Sequence, residues 1–166
     1  MLMQQIADYA IKEQTSKLPA EVLHHAKRAV IDWYAAMLPG SIVAPATLLE
    51  LAFADDLDRG KARLARGRRA TTRTAALING AASHSVEFDD IYRDAGYHPG
   101  SPTISAALAA AQSSGASGER FLRAVIVGYE TSTRIGEAVM PSHYRFWHTT
   151  GTVGSFGAAA AAATAM

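Results

Sequence analysis

About a fifth of this 166-residue chain is alanine, while valine and isoleucine are sparse. Alanine is the best helix former and β-branched residues favour strands, so the chain is biased towards helix along most of its length. Small side chains also let helix axes approach closely. The expected architecture is all-α: an Ala-rich multi-helix bundle forming a single helical domain over 1–166. That length supports one sizeable core rather than two.

The remaining composition narrows the function classes. Apolar types make up 49% of the chain and charged types 19%, which fits a folded globular protein and not a disordered one. Sixteen basic residues face fifteen acidic ones, so a net charge of +1 gives no general pull towards nucleic acid or an anionic membrane. The chain has no cysteine, which excludes disulfides, thiolate nucleophiles and Cys-type zinc sites. The opening Met1-Leu2-Met3-Gln4-Gln5 lacks the basic region and apolar run of a signal peptide, so a cytoplasmic location is expected. No stretch approaches the ~18 apolar residues of a membrane span.

Periodicity divides the chain into seven helices. The first covers about Met3 to Gln14. The second opens at Leu18-Pro19, carries Val22, Ala26, Ala29, Val30, Trp33 and Met37 on one stripe, and stops at Pro39-Gly40. A third runs from Pro45 to about Asp56. The segment from Arg59 to Arg73 holds seven basic residues and no acidic one, and reads as a solvated or subunit-facing connector with at most a short extended piece. It lacks the interleaved aromatics of a nucleic-acid surface. Thr71 or Thr72 caps a fourth helix running to about Glu87, with His84 on its apolar stripe and therefore expected to be a core histidine. The fifth runs from Pro102 to about Ser113 and the sixth from about Glu119 to Val139. The seventh begins near Thr152 and reaches Met166 through a run of alanines with no stop signal, as expected of a central helix in a chain that continues.

Two segments concentrate functional side chains: His84 to Pro102, and His143 to Thr152. His98 and His148 each stand a few residues before a helix start. The first turn of a helix offers unpaired N–H groups and a partial positive charge, suited to a carboxylate. That field disfavours an imidazolium, leaving an imidazole able to accept a proton from the carbon beside a bound carboxylate. Glu87, Asp89 and Asp90 are candidates to orient an imidazole or to protonate a leaving group. Arg93 and Arg145 could pair with further carboxylates, and Ser101, Thr149 and Thr150 stand at the helix starts. Phe146 and Trp147 read as a hydrophobic plug. Two rival chemistries are weaker. Asp89 to Asp94 is like an aspartate-rich magnesium motif, but Pro and Gly follow quickly and no second such motif exists. A metal site from His98, His148 and an aspartate lacks the usual ligand spacing.

The run Ala75 to Asp90, His98-Pro99-Gly100-Ser101-Pro102, Gly128-Tyr129-Glu130 with Arg134-Ile135-Gly136, and Trp147 to Ala160 together resemble the N-terminal helical domain of the MmgE/PrpD family. Its members include 2-methylcitrate dehydratase, cis-aconitate decarboxylase and iminodisuccinate epimerase. The resemblance implies a helical domain followed, in longer members, by a smaller α+β domain absent here. It also implies a homodimer and a site that needs neither metal nor organic cofactor. The chemistry implied is proton transfer beside a carboxylate of a small di- or tricarboxylic acid, with His98 and His148 lining the site. A lysine and a tyrosine of the complete site would come from sequence beyond position 166. Glu87 stands where decarboxylase relatives have Asp, Ile91 where they have Thr, and the loop to His98 is one residue longer. Dehydration, decarboxylation, epimerisation and a helical module without catalysis all stay open.

Overall fold

A computed structural model describes residues 2–166. The helices are α1 (Leu2–Glu13), α2 (Ala20–Gly40), α3 (Ala46–Ala52), α4 (Thr72–His84), α5 (Gly100–Ser114), α6 (Gly118–Val139) and α7 (Thr149–Ala165). Among the described residues, side-chain caps mark three of the seven starts, those of α4, α6 and α7. The Thr71 hydroxyl accepts the Thr74 N–H, and the Ser117 hydroxyl accepts the Arg120 N–H, each satisfying a donor that the first turn leaves free. α5 ends at Gly115, whose φ of 75° lies in the left-handed region.

The core is built on α2, α4, α5, α6 and α7. Trp33 and Met37 from α2 meet Ile78 of α4, Ile104 of α5 and Val125 of α6, among many buried alanines. The Trp33 indole N–H donates to the Ser105 hydroxyl at 3.2 Å, so its one polar atom is not stranded. α7 packs against both α5 and α6. The contact is close: a Cβ on Gly157 would fall 2.7 Å from Ser132 Oγ and 2.8 Å from Thr103 Oγ1. One on Gly128 would fall 2.4 Å from the Thr103 methyl. Small residues on α7 thus face neighbours on two sides, but the helix is not surrounded as expected: Gly151, Ser155, Phe156, Ala159 and Ala163 are exposed.

The bundle is not purely helical. The basic segment folds into an antiparallel hairpin, β1 (Leu57–Arg63) with β2 (Arg69–Ala70), irregular between Leu57 and Ala62. Leu57, Ala62, Leu64 and Ala70 are buried beneath it. Arg66 pairs with Glu50, Arg68 with Asp58 and Arg73 with Asp56 at 2.7 to 3.1 Å, so three of the seven cations answer nearby carboxylates. Asn79 of α4 fastens the hairpin, accepting the Ala65 N–H and donating to the Arg63 carbonyl.

Other departures are local. α4 ends at His84 instead of Glu87, and α7 starts at Thr149 instead of Thr152. Phe146 and Trp147 are 81% and 63% exposed, so neither plugs a core. Among the described residues, no helix is long and apolar enough to cross a membrane.

Candidate active site

Three histidines from three separate stretches of chain converge. His84 is the last residue of α4, His98 lies two residues before α5, and His148 caps α7. Their ring centroids are 4.8 Å apart for His84 and His98, 6.4 Å for His84 and His148, and 6.5 Å for His98 and His148. Thr150 ties two of the segments together, its hydroxyl accepting the His98 backbone N–H at 3.1 Å.

Asp89 anchors the cluster. Its side chain is 1% exposed, and Oδ2 lies 2.9 Å from His84 Nδ1 and 3.5 Å from His98 Nδ1. The first contact is a hydrogen bond; the second is a polar approach too long to be one. Asp89 Oδ1 and His98 Nδ1 are both buried without a hydrogen-bond partner. Unpaired buried polar atoms are uncommon in native proteins, and two in one cluster are a place for another group to bind.

Hydrogen bonding distinguishes the rings. His148 Nδ1 accepts the Thr150 N–H at 3.2 Å, so a neutral His148 carries its hydrogen on Nε2 and presents a donor there. A neutral His98 with its hydrogen on Nδ1, towards Asp89, would carry a lone pair on Nε2 and present an acceptor. Two rings at 6.5 Å, one able to donate and one to accept, suit proton transfer on a small molecule between them.

The other candidate residues divide by placement. Asp90 has both oxygens engaged: Oδ1 accepts the Gly100 N–H at 3.0 Å and Oδ2 the Tyr129 hydroxyl at 2.9 Å. The anion at the start of α5 is thus the chain's own carboxylate. Burial pushes the Asp90 carboxyl up, and the hydrogen bonds from Tyr129 and Gly100 oppose that rise. The Tyr129 hydroxyl is pushed well above the ordinary phenol range by burial and then by Asp90. The Ser101 hydroxyl donates to the Gly80 carbonyl, and Thr149 is fully buried with its hydroxyl near Met140 Sδ. Arg93 and Arg145 are exposed on short 3-10 turns. Glu87 is exposed and, with His84, Leu77, Ser101 and Pro102, lines a largely apolar groove of about 600 Å³ beside the cluster.

His84 is the residue that sequence reasoning missed. Instead of lying in the core, it has a 31% exposed side chain and a bond to Asp89. The signal was the carboxylate five residues on, past the end of the helix.

The model of the MmgE/PrpD N-terminal domain matches residues 4–166. The chain belongs to the MmgE/PrpD family. It is 34% identical over 167 aligned residues, 95% of its length, to a cis-aconitate decarboxylase-like protein of Aspergillus oryzae. It is 29% identical over 152 residues, 87% of its length, to a cis-aconitate decarboxylase of Aspergillus terreus. The chain spans 35% and 31% of those two relatives, about a third of their length. Within this MmgE/PrpD domain, the converging histidines come from the His84–Asp90, His98–Pro102 and Trp147–Thr152 segments.

Proposed function

We propose that this chain contributes the histidine-bearing part of a lyase site that moves a proton on the carbon beside a carboxylate of a small di- or tricarboxylic acid. The observation that carries the reading is the convergence of His98 and His148 over a buried aspartate. His98, with Nδ1 towards Asp89, takes the proton at Nε2. His148 donates from Nε2 to the oxygen on which negative charge develops. A neutral donor is suited to this, because its hydrogen bond strengthens as that charge grows.

In a dehydration of the 2-methylcitrate type, the C–H electron pair becomes the new double bond. Hydroxide leaves from the neighbouring carbon and takes up a proton to depart as water. No group of this chain is assigned that second proton; the lysine or tyrosine expected beyond position 166 would supply it. The names of the two relatives favour a second reading, decarboxylation of cis-aconitate. There the bond to a carboxyl carbon breaks, carbon dioxide leaves, and the electron pair left behind is protonated. That step needs a proton donor, which His148 Nε2 can be, and abstracts no proton, so His98 accepts none in it. Homodimerisation and a cytoplasmic location belong to the same proposal.

The test is turnover of a panel of such acids, 2-methylcitrate and cis-aconitate among them, by a protein extended to the relatives' length. His148→Ala is expected to lower kcat by ~100-fold or more, and His98→Ala by a similar factor, with helicity unchanged. The 166-residue chain alone is expected to be inactive. Turnover of no member of the panel would favour a helical module without catalysis. Undiminished activity in His148→Ala would remove that ring from the mechanism.

A further inference from the structure

We propose that His84, Asp89 and His98 form a binding site for one divalent cation of the zinc type. One donor atom from each, two imidazole nitrogens and a carboxylate oxygen, lies within 4.8 Å of the others. Bonds of about 2.0 Å to a tetrahedral ion place ligand atoms about 3.3 Å apart. The separations of 2.9 Å and 3.5 Å from Asp89 Oδ2 to the two Nδ1 atoms straddle that figure. The third separation, between the two ring nitrogens, lies within 4.8 Å, so the rings close towards the ion on binding.

A second observation is independent of that spacing. Asp89 is almost wholly buried, yet its Oδ1 has no partner, and neither has the buried Nδ1 of His98. A hydrogen bond between His84 and Asp89 accounts for one edge of the triangle and leaves these two atoms unsatisfied. An ion bonded to both rings and to the carboxylate satisfies His98 Nδ1 and neutralises the buried charge. The donor set selects the cation: imidazole nitrogen suits Zn²⁺, Co²⁺ or Ni²⁺, whereas Mg²⁺ and Ca²⁺ want oxygen throughout. A further imidazole, His148, has its ring centroid 6.4 Å from that of His84.

The site would oppose catalysis. A cation on His98 Nδ1 moves the hydrogen of the neutral ring to Nε2, the atom assigned above to accept the substrate proton. This consequence rests on the proposed function; binding of the cation does not.

Binding is therefore measured on the 166-residue chain itself, by calorimetry with ZnCl2 and by the visible spectrum with CoCl2. One cation per chain is expected, with affinity lowered ~10-fold or more in His84→Ala. His84 is partly exposed at a helix end, so this variant is expected to keep its far-ultraviolet dichroism. The competing exposed cluster is Glu21, His24 and His25 on α2, and His25→Ala is expected to leave binding unchanged. On the unmutated chain, Co²⁺ should shift the ring protons of His84 and His98 most in the NMR spectrum. The absence of saturable binding overturns the site, as does binding lost in His25→Ala and kept in His84→Ala. In the extended protein, Zn²⁺ at saturating concentration should abolish turnover. Binding at His84 with full turnover would leave the cation site standing and overturn the assignment of His98 as proton acceptor.

Discussion

Glu87 adopts a φ of 56°, in the left-handed region where a side chain is disfavoured. It follows the end of α4 by three residues, on the turn that brings Asp89 back under His84. Glycine pays no steric penalty there, so Glu87→Gly is expected to raise stability by about 1 kcal/mol, read as a higher urea midpoint. An unchanged or lower midpoint would mean that no strain is stored at this turn. If the Glu87 carboxylate takes part in the chemistry, the same variant loses activity as it gains stability. This turn also explains what the sequence concealed at residue scale. His84 falls in register with Leu77 and Ala81, but that stripe lines the groove, and the face α4 buries carries Ala75, Ile78, Asn79 and Ala82. Because α4 stops at His84, the imidazole stands at the helix end, free to meet the aspartate that the turn returns. His98 and His148 were legible because each precedes a helix start marked by Gly, Ser or Thr.

Among the elements, α7 shows how composition became architecture. Its glycines are not equivalent. Gly157 faces Ser132 and Thr103 at distances that leave no room for a methyl group, whereas a Cβ on Gly151 meets nothing within 4 Å. Gly157→Val is expected to destabilise the chain by about 2–3 kcal/mol, because backbone and short hydroxyl side chains must move to admit it. Gly151→Ala, in the same helix, is expected to stabilise by about 0.5–1 kcal/mol through helix propensity alone. Thermal or urea unfolding of the pair checks both signs; equal effects would mean that α7 is not wedged between α5 and α6. The hairpin was the element least legible in advance. Its burial depends on only Leu57, Ala62, Leu64 and Ala70, separated by cations, and Asp58 with Gly60 interrupts the alternation at positive φ. An alternating pattern so diluted and broken gives no strand signal. The fastening partner, Asn79, lies on a helix that looks complete without it.

At the scale of the whole molecule, the site is a junction of three chain segments, and Asp90 is one of the latches that hold them. Through the Gly100 N–H and the Tyr129 hydroxyl it joins the turn after α4 to the start of α5 and to α6. Burial raises the Asp90 carboxyl above its value in the unfolded chain. A group shifted in that direction contributes most to stability below its unfolded pKa, and that contribution is lost as pH rises through the folded value. Asp56 works in the opposite direction. Hydrogen bonds from Thr74 and Arg73 hold it below the usual carboxylate range, so its contribution is present at neutral pH and lost as pH falls through its folded value. The overall pH profile therefore mixes opposed terms, and a substitution is needed to isolate one. Asn at position 90 keeps an oxygen for the Gly100 N–H and can donate to the Tyr129 oxygen, while carrying no charge at any pH. Asp90→Asn should consequently be stabilised relative to the parent chain at pH 7, with the difference shrinking as the pH is lowered and the parent's carboxyl takes up its proton. Urea midpoints of both chains across that range measure the difference directly. A gap that widens in acid would mean that Asp90 is held as a carboxylate, with its hydrogen bonds outweighing its burial.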